Sequence, residues 1–396
     1  MTLMLALRRR SSASRQAPGL LSRQLSTMRA VVVDGDNAVR VDYHRDVPRL
    51  QDDRILVRPV AVALNPTDWR HVRGGRARDG CILGCDYAGV VEAVGSAVTK
   101  PWQPGDRVFG CGHGANLVNP DDGVFAQVAS LIGDLQMKIP DSLSFEEAAT
   151  LGLGSITVGQ GLYQKALKLQ LPSRDGMLEK KDIAVLIYGG ATATGALAIQ
   201  FAKQSGYTAI TTCSPRNFDY VRSLGADAVI DYHAADAGNQ IRNLANNQLE
   251  FAWDTISVAQ SAAICADALT TSQQRQPIYG TILPTRSPRE DVETVSTVMY
   301  TAFGKDFKFG PVEMPASEDD FRFGKQFFQL VEDLVAQVST PYFYMSPSIS
   351  AKLVLQRRIR PHHFRVRDGG LEGLIQDLED LEMGKVRAEK LVYVVN

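Results

Sequence analysis

The chain has 396 residues, of which 44% are hydrophobic and 22% charged, and a formal net charge of -1. That balance excludes a global pull toward nucleic acid or an anionic membrane, and the length exceeds one ordinary domain, so two domains are expected. Cys81, Cys85, Cys111, Cys213 and Cys265 are odd in number and too sparse for a disulfide scaffold, and no apolar run reaches the roughly 18 to 20 residues that cross a bilayer.

Residues 1–27 carry Arg8, Arg9, Arg10, Arg15 and Arg23 among serines and leucines, and the first acid is Asp34. A mitochondrial transit peptide has this composition, as does a disordered tail, so the cytoplasm and the mitochondrial matrix are both open as locations. From Met28 to about Ile139 the chain reads as short strands broken by glycine and proline, for example over 55–62 and 89–94, and predicts a β-rich, barrel-like domain. Ser144 with Glu147 three residues on is a capping-box start, so a helix begins near Phe145. After about Lys180 strands alternate with helices: strands over 183–188, 208–213, 228–231, 250–254 and 278–283, with helices from Thr194, over 218–224, around Ile241 and over 262–269. This alternation predicts a doubly wound parallel sheet of Rossmann type. Helices over 319–337 and 371–382 and a strand over 390–395 close the chain.

The run Tyr188-Gly189-Gly190-Ala191-Thr192-Ala193-Thr194-Gly195 joins strand to helix as a dinucleotide site requires. Against G-x-G-x-x-G, Gly190 and Gly195 hold the outer positions and Thr192 replaces the middle glycine. Backbone N–H groups at a helix N-terminus bind pyrophosphate, and Thr192 and Thr194 add hydroxyls. An NAD site needs an acid at the end of the second strand, near twenty residues on. That strand ends instead in Cys213-Ser214-Pro215-Arg216-Asn217, whose hydroxyl, guanidinium and amide favour a 2'-phosphate, so NADPH is expected.

Further runs carry a resemblance: Ala63-Leu64-Asn65-Pro66-Thr67-Asp68, Gly84-Cys85-Asp86-Tyr87-Ala88-Gly89, Pro104-Gly105-Asp106-Arg107-Val108 and Gly225-Ala226-Asp227-Ala228-Val229-Ile230-Asp231-Tyr232. From Met28 to Asn396 the chain resembles the medium-chain dehydrogenase/reductase superfamily. That implies a GroES-like β-barrel catalytic domain over 28–160, a Rossmann NADP-binding domain over 161–311, and a return segment over 312–396 completing the first. Zinc alcohol dehydrogenases of that superfamily hold their metal with a cysteine at the place of Asn65 and a Gly-His-Glu motif at the place of Gly84-Cys85-Asp86. Both are altered, His71 and His113 have no ligand spacing, and no metal is expected.

Within the zinc-free branch, Asn119-Pro120-Asp121-Asp122-Gly123-Val124-Phe125-Ala126-Gln127, the run over 139–149, and Thr212-Cys213-Ser214-Pro215-Arg216-Asn217-Phe218-Asp219 resemble fungal trans-acting enoyl reductases of polyketide biosynthesis. The resemblance implies hydride delivery from NADPH to an α,β-unsaturated thioester on an acyl carrier domain. It puts Thr67, Asp68, Trp69 and Arg70 near the nicotinamide, and Gly189, Gly190, Ala191, Thr192, Ala193 and Thr194 on the pyrophosphate. Ser214, Pro215, Arg216, Asn217 and Tyr232 would face the adenosine phosphate, and Ile282 and Leu283 would complete the cofactor site. Thr157 and Arg70 are the candidate catalytic residues, although related enzymes carry Lys where Arg70 stands, which changes reach and geometry. Thr157, Val158, Gly159, Gln160, Gly161, Leu162, Tyr163, Gln164, Phe303 and Phe307 would line the acyl pocket. A quinone or enal reductase, a mitochondrial 2-enoyl thioester reductase and an NADPH-binding regulatory protein share these cofactor features, and monomer and homodimer remain open.

Overall fold

The computed structural model describes residues 26–35, 38–339 and 356–395, so the leader expected over 1–27 lies outside the described residues apart from Ser26 and Thr27. Two sheets organise the chain. Six parallel strands run in the spatial order Ala228–Asp231, Thr208–Cys213, Ala184–Tyr188, Phe251–Asp254, Ile278–Thr281 and Glu293–Ser296. Helices Ala193–Gln204, Phe218–Ser223, Ala237–Leu244 and Ala259–Ala268 connect them. This is the doubly wound order in which the chain reverses direction across the sheet beside its first strand, here between Ala184–Tyr188 and Phe251–Asp254, leaving a crevice at their carboxyl ends. The strand Glu293–Ser296 has no forerunner in the sequence reading. Its two end residues are exposed and its middle half-buried, so hydrophobic periodicity carries no signal there and pairing with Ile278–Thr281 alone makes it a strand.

The second sheet runs Phe364–Arg367, Lys390–Val394, Arg54–Ala63, Asp86–Val94, Arg107–Cys111 and Met137–Lys138, with Ala129–Ile132 also paired to Arg54–Ala63. The C-terminal strand lies antiparallel to Arg54–Ala63, with Val392 opposite Ala63, so the two ends of the chain share one sheet. Its neighbours are joined by hairpins and irregular loops, as the density of glycine and proline there requires.

The capping box forms as its spacing predicts: Ser144 Oγ accepts from Glu147 N–H at 3.1 Å and Glu147 Oε2 accepts from Ser144 N–H at 2.9 Å. The helix it starts, Phe145–Ala148, is one turn long, and the chain then re-enters helix over Gly152–Val158 and widens into a π turn over Gly159–Gln164. Helix Glu318–Ala336 is capped by Ser317 and buries Phe327, Phe328, Leu330, Val331, Leu334 and Val335 along one stripe. One apolar cluster runs from Phe109 and Met137 through Ile156, Leu197 and Phe201 to Trp253 and Phe327. Helix Gly152–Val158 is therefore packed against both sheets' layers, and its position is fixed from either side.

Candidate active site

At the crevice, Gly189 turns the chain with φ +83°, a conformation open to glycine. A Cβ on Gly190 would stand 2.1 Å from Thr211 Oγ1, and one on Gly195 would stand 2.2 Å from the Gly189 carbonyl oxygen. Thr192 is the N-cap of the helix: its Oγ1 accepts from Gly195 N–H at 2.9 Å and meets Thr255 Oγ1 at 3.0 Å. The residue in place of the middle glycine thus holds the turn's shape. Thr212 Oγ1 accepts from Gly189 N–H at 3.1 Å from the neighbouring strand. The N–H groups of Ala191, Ala193 and Thr194 have no acceptor among the described residues, and they open the helix whose N-terminus carries partial positive charge.

Strands Thr208–Cys213 and Ala228–Asp231 end in register, Cys213 opposite Asp231, so Ser214 and Tyr232 emerge together with their hydroxyls 3.3 Å apart. Pro215 starts a single 3-10 turn through Asn217, and Arg216 is exposed on it with no ion pair among the described residues. Ile282 and Leu283 follow strand Ile278–Thr281 at the same edge, tied to Ser257 Oγ and Thr281 Oγ1. Backbone N–H groups that have no acceptor among the described residues, at a helix N-terminus, form a donor set that fits a dinucleotide pyrophosphate.

Past the end of strand Arg54–Ala63 in the second sheet, helix Pro66–Arg73 follows Asn65, whose N–H donates to Asp68 Oδ2 at 2.7 Å. The Asn65 side chain donates through Nδ2 to Asp86 Oδ2 at 2.9 Å and accepts through Oδ1 from Lys390 Nζ at 2.9 Å. Lys390 also donates to Asp86, and Asp86 Oδ1 accepts from Leu153 N–H at 2.6 Å. Asn65, at the place of the zinc-ligand cysteine, and Asp86, the last residue of the altered Gly-His-Glu run, are thus joined in one buried network with an ammonium, while Cys85 stands at the histidine's place. Among the described residues no three His, Cys, Asp or Glu side chains are grouped to hold a metal ion.

Asp68 is buried, its Oδ1 has no hydrogen-bond partner among the described residues, and burial pushes its carboxyl up to about 7. Arg70 is half-buried, its guanidinium 5.3 Å from the centre of the Trp69 ring, with no carboxylate paired to it among the described residues. Trp69 itself turns away from Thr67 and lines a groove with Val39, Ile375 and Leu378. Thr67 faces the interior instead. Its Oγ1 is 3.0 Å from the hydroxyl of Tyr300 and 3.1 Å from His71 Nδ1. Tyr300 stacks on His113 at 4.0 Å, and Phe303 and Phe307 pack on the same imidazole at 6.0 and 5.3 Å. Burial lowers His71 to about 4, lowers His113 well below its usual range and raises the Cys85 thiol, so these three side chains are neutral near pH 7.

Thr157 is half-buried, and its hydroxyl donates to the Leu153 carbonyl of its own helix at 2.8 Å. Val158 and the π turn beyond it point mostly into the core: a Cβ on Gly159 would meet Phe327 and one on Gly161 would meet Trp253, while Tyr163 bonds Ser205 at 2.9 Å and Leu162 is fully buried. Gln160 reaches Thr301 and Gln164 reaches Asp320, both at 2.9 Å. The structure therefore brings Thr67, Phe303 and Phe307 to one cluster and leaves most of 158–163 in packing. Sequence reading passed over Tyr300 and Lys390. Lys390 had a legible signal, a single charge opening an otherwise apolar strand, whereas Tyr300 and His113 meet only through tertiary packing.

Residues 51–141 match the alcohol dehydrogenase GroES-like domain and residues 193–284 match the zinc-binding dehydrogenase domain. The trans-enoyl reductase resD of Aspergillus sclerotiorum is 40% identical over 93% of this chain and 100% of its own length. The trans-enoyl reductase TOXD of Cochliobolus carbonum is 47% identical over 72% of this chain and 93% of its own. Among solved structures, a putative zinc-dependent alcohol dehydrogenase from Rhizobium etli superposes with a TM-score of 0.71 at 25% identity, covering 93% of this chain and 98% of that one. The CurK enoyl reductase shares the fold, with a TM-score of 0.66 at 17% identity over 93% of this chain and all of its own. The chain belongs to the trans-enoyl reductase family of the medium-chain dehydrogenase/reductase superfamily.

Proposed function

We infer that this enzyme uses NADPH to reduce the α,β double bond of a polyketide enoyl thioester presented on an acyl carrier domain, without a metal. The observation that carries the cofactor choice is the end of the second Rossmann strand, where the Ser214 and Tyr232 hydroxyls meet, Arg216 is exposed on the turn that follows with no ion pair among the described residues, and Cys213 stands where an NAD site needs an acid. NADPH, when bound, supplies the hydride that adds to the β-carbon. The chain's own residues hold the two reactants and stabilise charge. Gly189, Gly190 and Ala191 through Thr194 hold the pyrophosphate, and Ile282 and Leu283 flank the crevice. Asn217 and Pro215 shape the phosphate turn.

Thr67, Asp68 and Arg70 belong to the nicotinamide side, where Arg70 offers a cation to the thioester oxygen as negative charge develops there. Thr157 offers a hydroxyl if it leaves the Leu153 carbonyl, and Phe303 and Phe307 offer the apolar wall for the acyl chain. The division of the chain at 160/161 and 311/312 belongs to the same reading. An intracellular location agrees with five unpaired, buried cysteines. The test is NADPH oxidation with a crotonyl group carried on an excised acyl carrier domain, with mass spectrometry of the product. Gain of two hydrogens on the carrier-bound acyl group is expected, and an unchanged acyl mass contradicts the reading.

A further inference from the structure

Tyr300 lies beside Thr67 and beside Cys85, the residue at the place of the zinc-ligand histidine. Its hydroxyl is 3.0 Å from Thr67 Oγ1 and 3.5 Å from Cys85 Sγ. The hydrogens in this group can be assigned from one fixed point. His71 Nδ1 lies 2.8 Å from the Thr67 carbonyl oxygen, which only accepts, so Nδ1 carries the ring hydrogen. Thr67 Oγ1 is 3.1 Å from the same nitrogen and turns a lone pair to it. The Thr67 hydrogen then points to Tyr300, its other neighbour. That leaves the Tyr300 hydrogen facing a thiol sulfur, a weak acceptor.

Tyr300 therefore holds the least engaged hydroxyl hydrogen of the cluster. Thr67, half-buried and hydrogen-bonded to Tyr300, can replace it. We propose that Tyr300 is a catalytic residue that protonates the α-carbon after hydride addition, an assignment that rests on the enoyl-reductase reading above. As hydride joins the β-carbon, the π pair shifts to leave an enolate on the thioester oxygen. The Tyr300 O–H bond then breaks while a Cα–H bond forms. The tyrosinate takes the Thr67 hydrogen, and water returns one to Thr67, so one hydride and one proton are consumed per turnover. Burial holds the Tyr300 phenol well above its usual range, and the neighbouring His71 and His113 are neutral near pH 7, so the proton stays in place until the enolate, a far stronger base, is formed.

The test uses the full chain with NADPH and the N-acetylcysteamine thioester of 2-methylbut-2-enoic acid, whose product has a stereocentre at the α-carbon. Wild type is expected to give one α-epimer. Tyr300→Phe, which keeps the ring on His113, is expected to lower kcat about 10²-fold or more and to give a mixture of epimers, because water then protonates without facial control. Thr67→Val, which keeps the phenol but breaks its refilling path, is expected to slow turnover and still give one epimer. Turnover within twofold of wild type and a single epimer from Tyr300→Phe overturn the proposal alone. A wild-type chain that reduces no enoyl thioester overturns the reading of function and the proposal with it.

Discussion

The Lys390 ammonium lies on the Asp86 carboxylate, and both side chains are almost wholly removed from water. Asp86 also holds the first turn of helix Gly152–Val158 through Leu153 N–H, and Lys390 and Asp86 together hold Asn65 at the head of helix Pro66–Arg73. One ion pair thus fixes the helices that carry Thr157 and Thr67. Lys390→Met would leave a buried carboxylate without its cation and is expected to cost about 3 to 5 kcal/mol of stability. Replacing both, as Lys390→Met with Asp86→Leu, is expected to cost less than the single change, and denaturant unfolding of the three proteins checks this order.

Asp68 makes stability depend on pH. Its carboxyl keeps a proton up to about pH 7 in the folded chain, against 3.8 for an ordinary aspartate, so folding takes up a proton between these values. The stabilisation linked to that proton is complete below about pH 4 and is lost as pH rises through about 7. The melting temperature of the wild type is expected to fall from pH 5 to pH 8 more steeply than that of Asp68→Asn, which cannot ionise. Parallel melting profiles would remove Asp68 from this role.

The adenosine end gives a cofactor-specific prediction. Arg216→Ala is expected to weaken NADPH binding about 10-fold to 100-fold, the loss of one hydrogen bond to a charged phosphate, and to leave NADH binding within about twofold. Tyr232→Phe removes the hydroxyl beside Ser214 and is expected to act in the same direction with a smaller effect. Fluorescence titration with both cofactors separates a phosphate contact from a general loss of the turn.

The turn itself is sensitive to one added carbon. Gly195→Ala places a Cβ 2.2 Å from the Gly189 carbonyl oxygen, and backbone cannot swing aside as a flexible side chain can. Loss of affinity for NADPH and NADH alike is expected, accompanied by a lower melting temperature. Unchanged affinity would show that the turn does not carry the dinucleotide.

Strong local patterns made much of the fold legible in the sequence. The capping box at Ser144 and the five apolar Rossmann strands follow from short-range chemistry, and so does the turn at Gly189 to Gly195. Strand Glu293–Ser296 escaped because it is polar and held only by its neighbour. The site was less legible for the same reason. Thr67 was singled out, but its partner Tyr300 lies 233 positions away, and Asn65 meets Lys390 across 325 positions. The resemblance implies pocket lining over residues 157–164, and the π turn sends most of 158–163 into packing against Phe327, Trp253 and Ser205.

The most direct test of the whole account is NADPH consumption by the full chain, comparing crotonyl and longer enoyl thioesters with quinones, with and without a chelator. Reduction of enoyl thioesters well ahead of quinones, unchanged by the chelator, is the expected result. Preference for quinones, or loss of activity that added zinc restores, would contradict it.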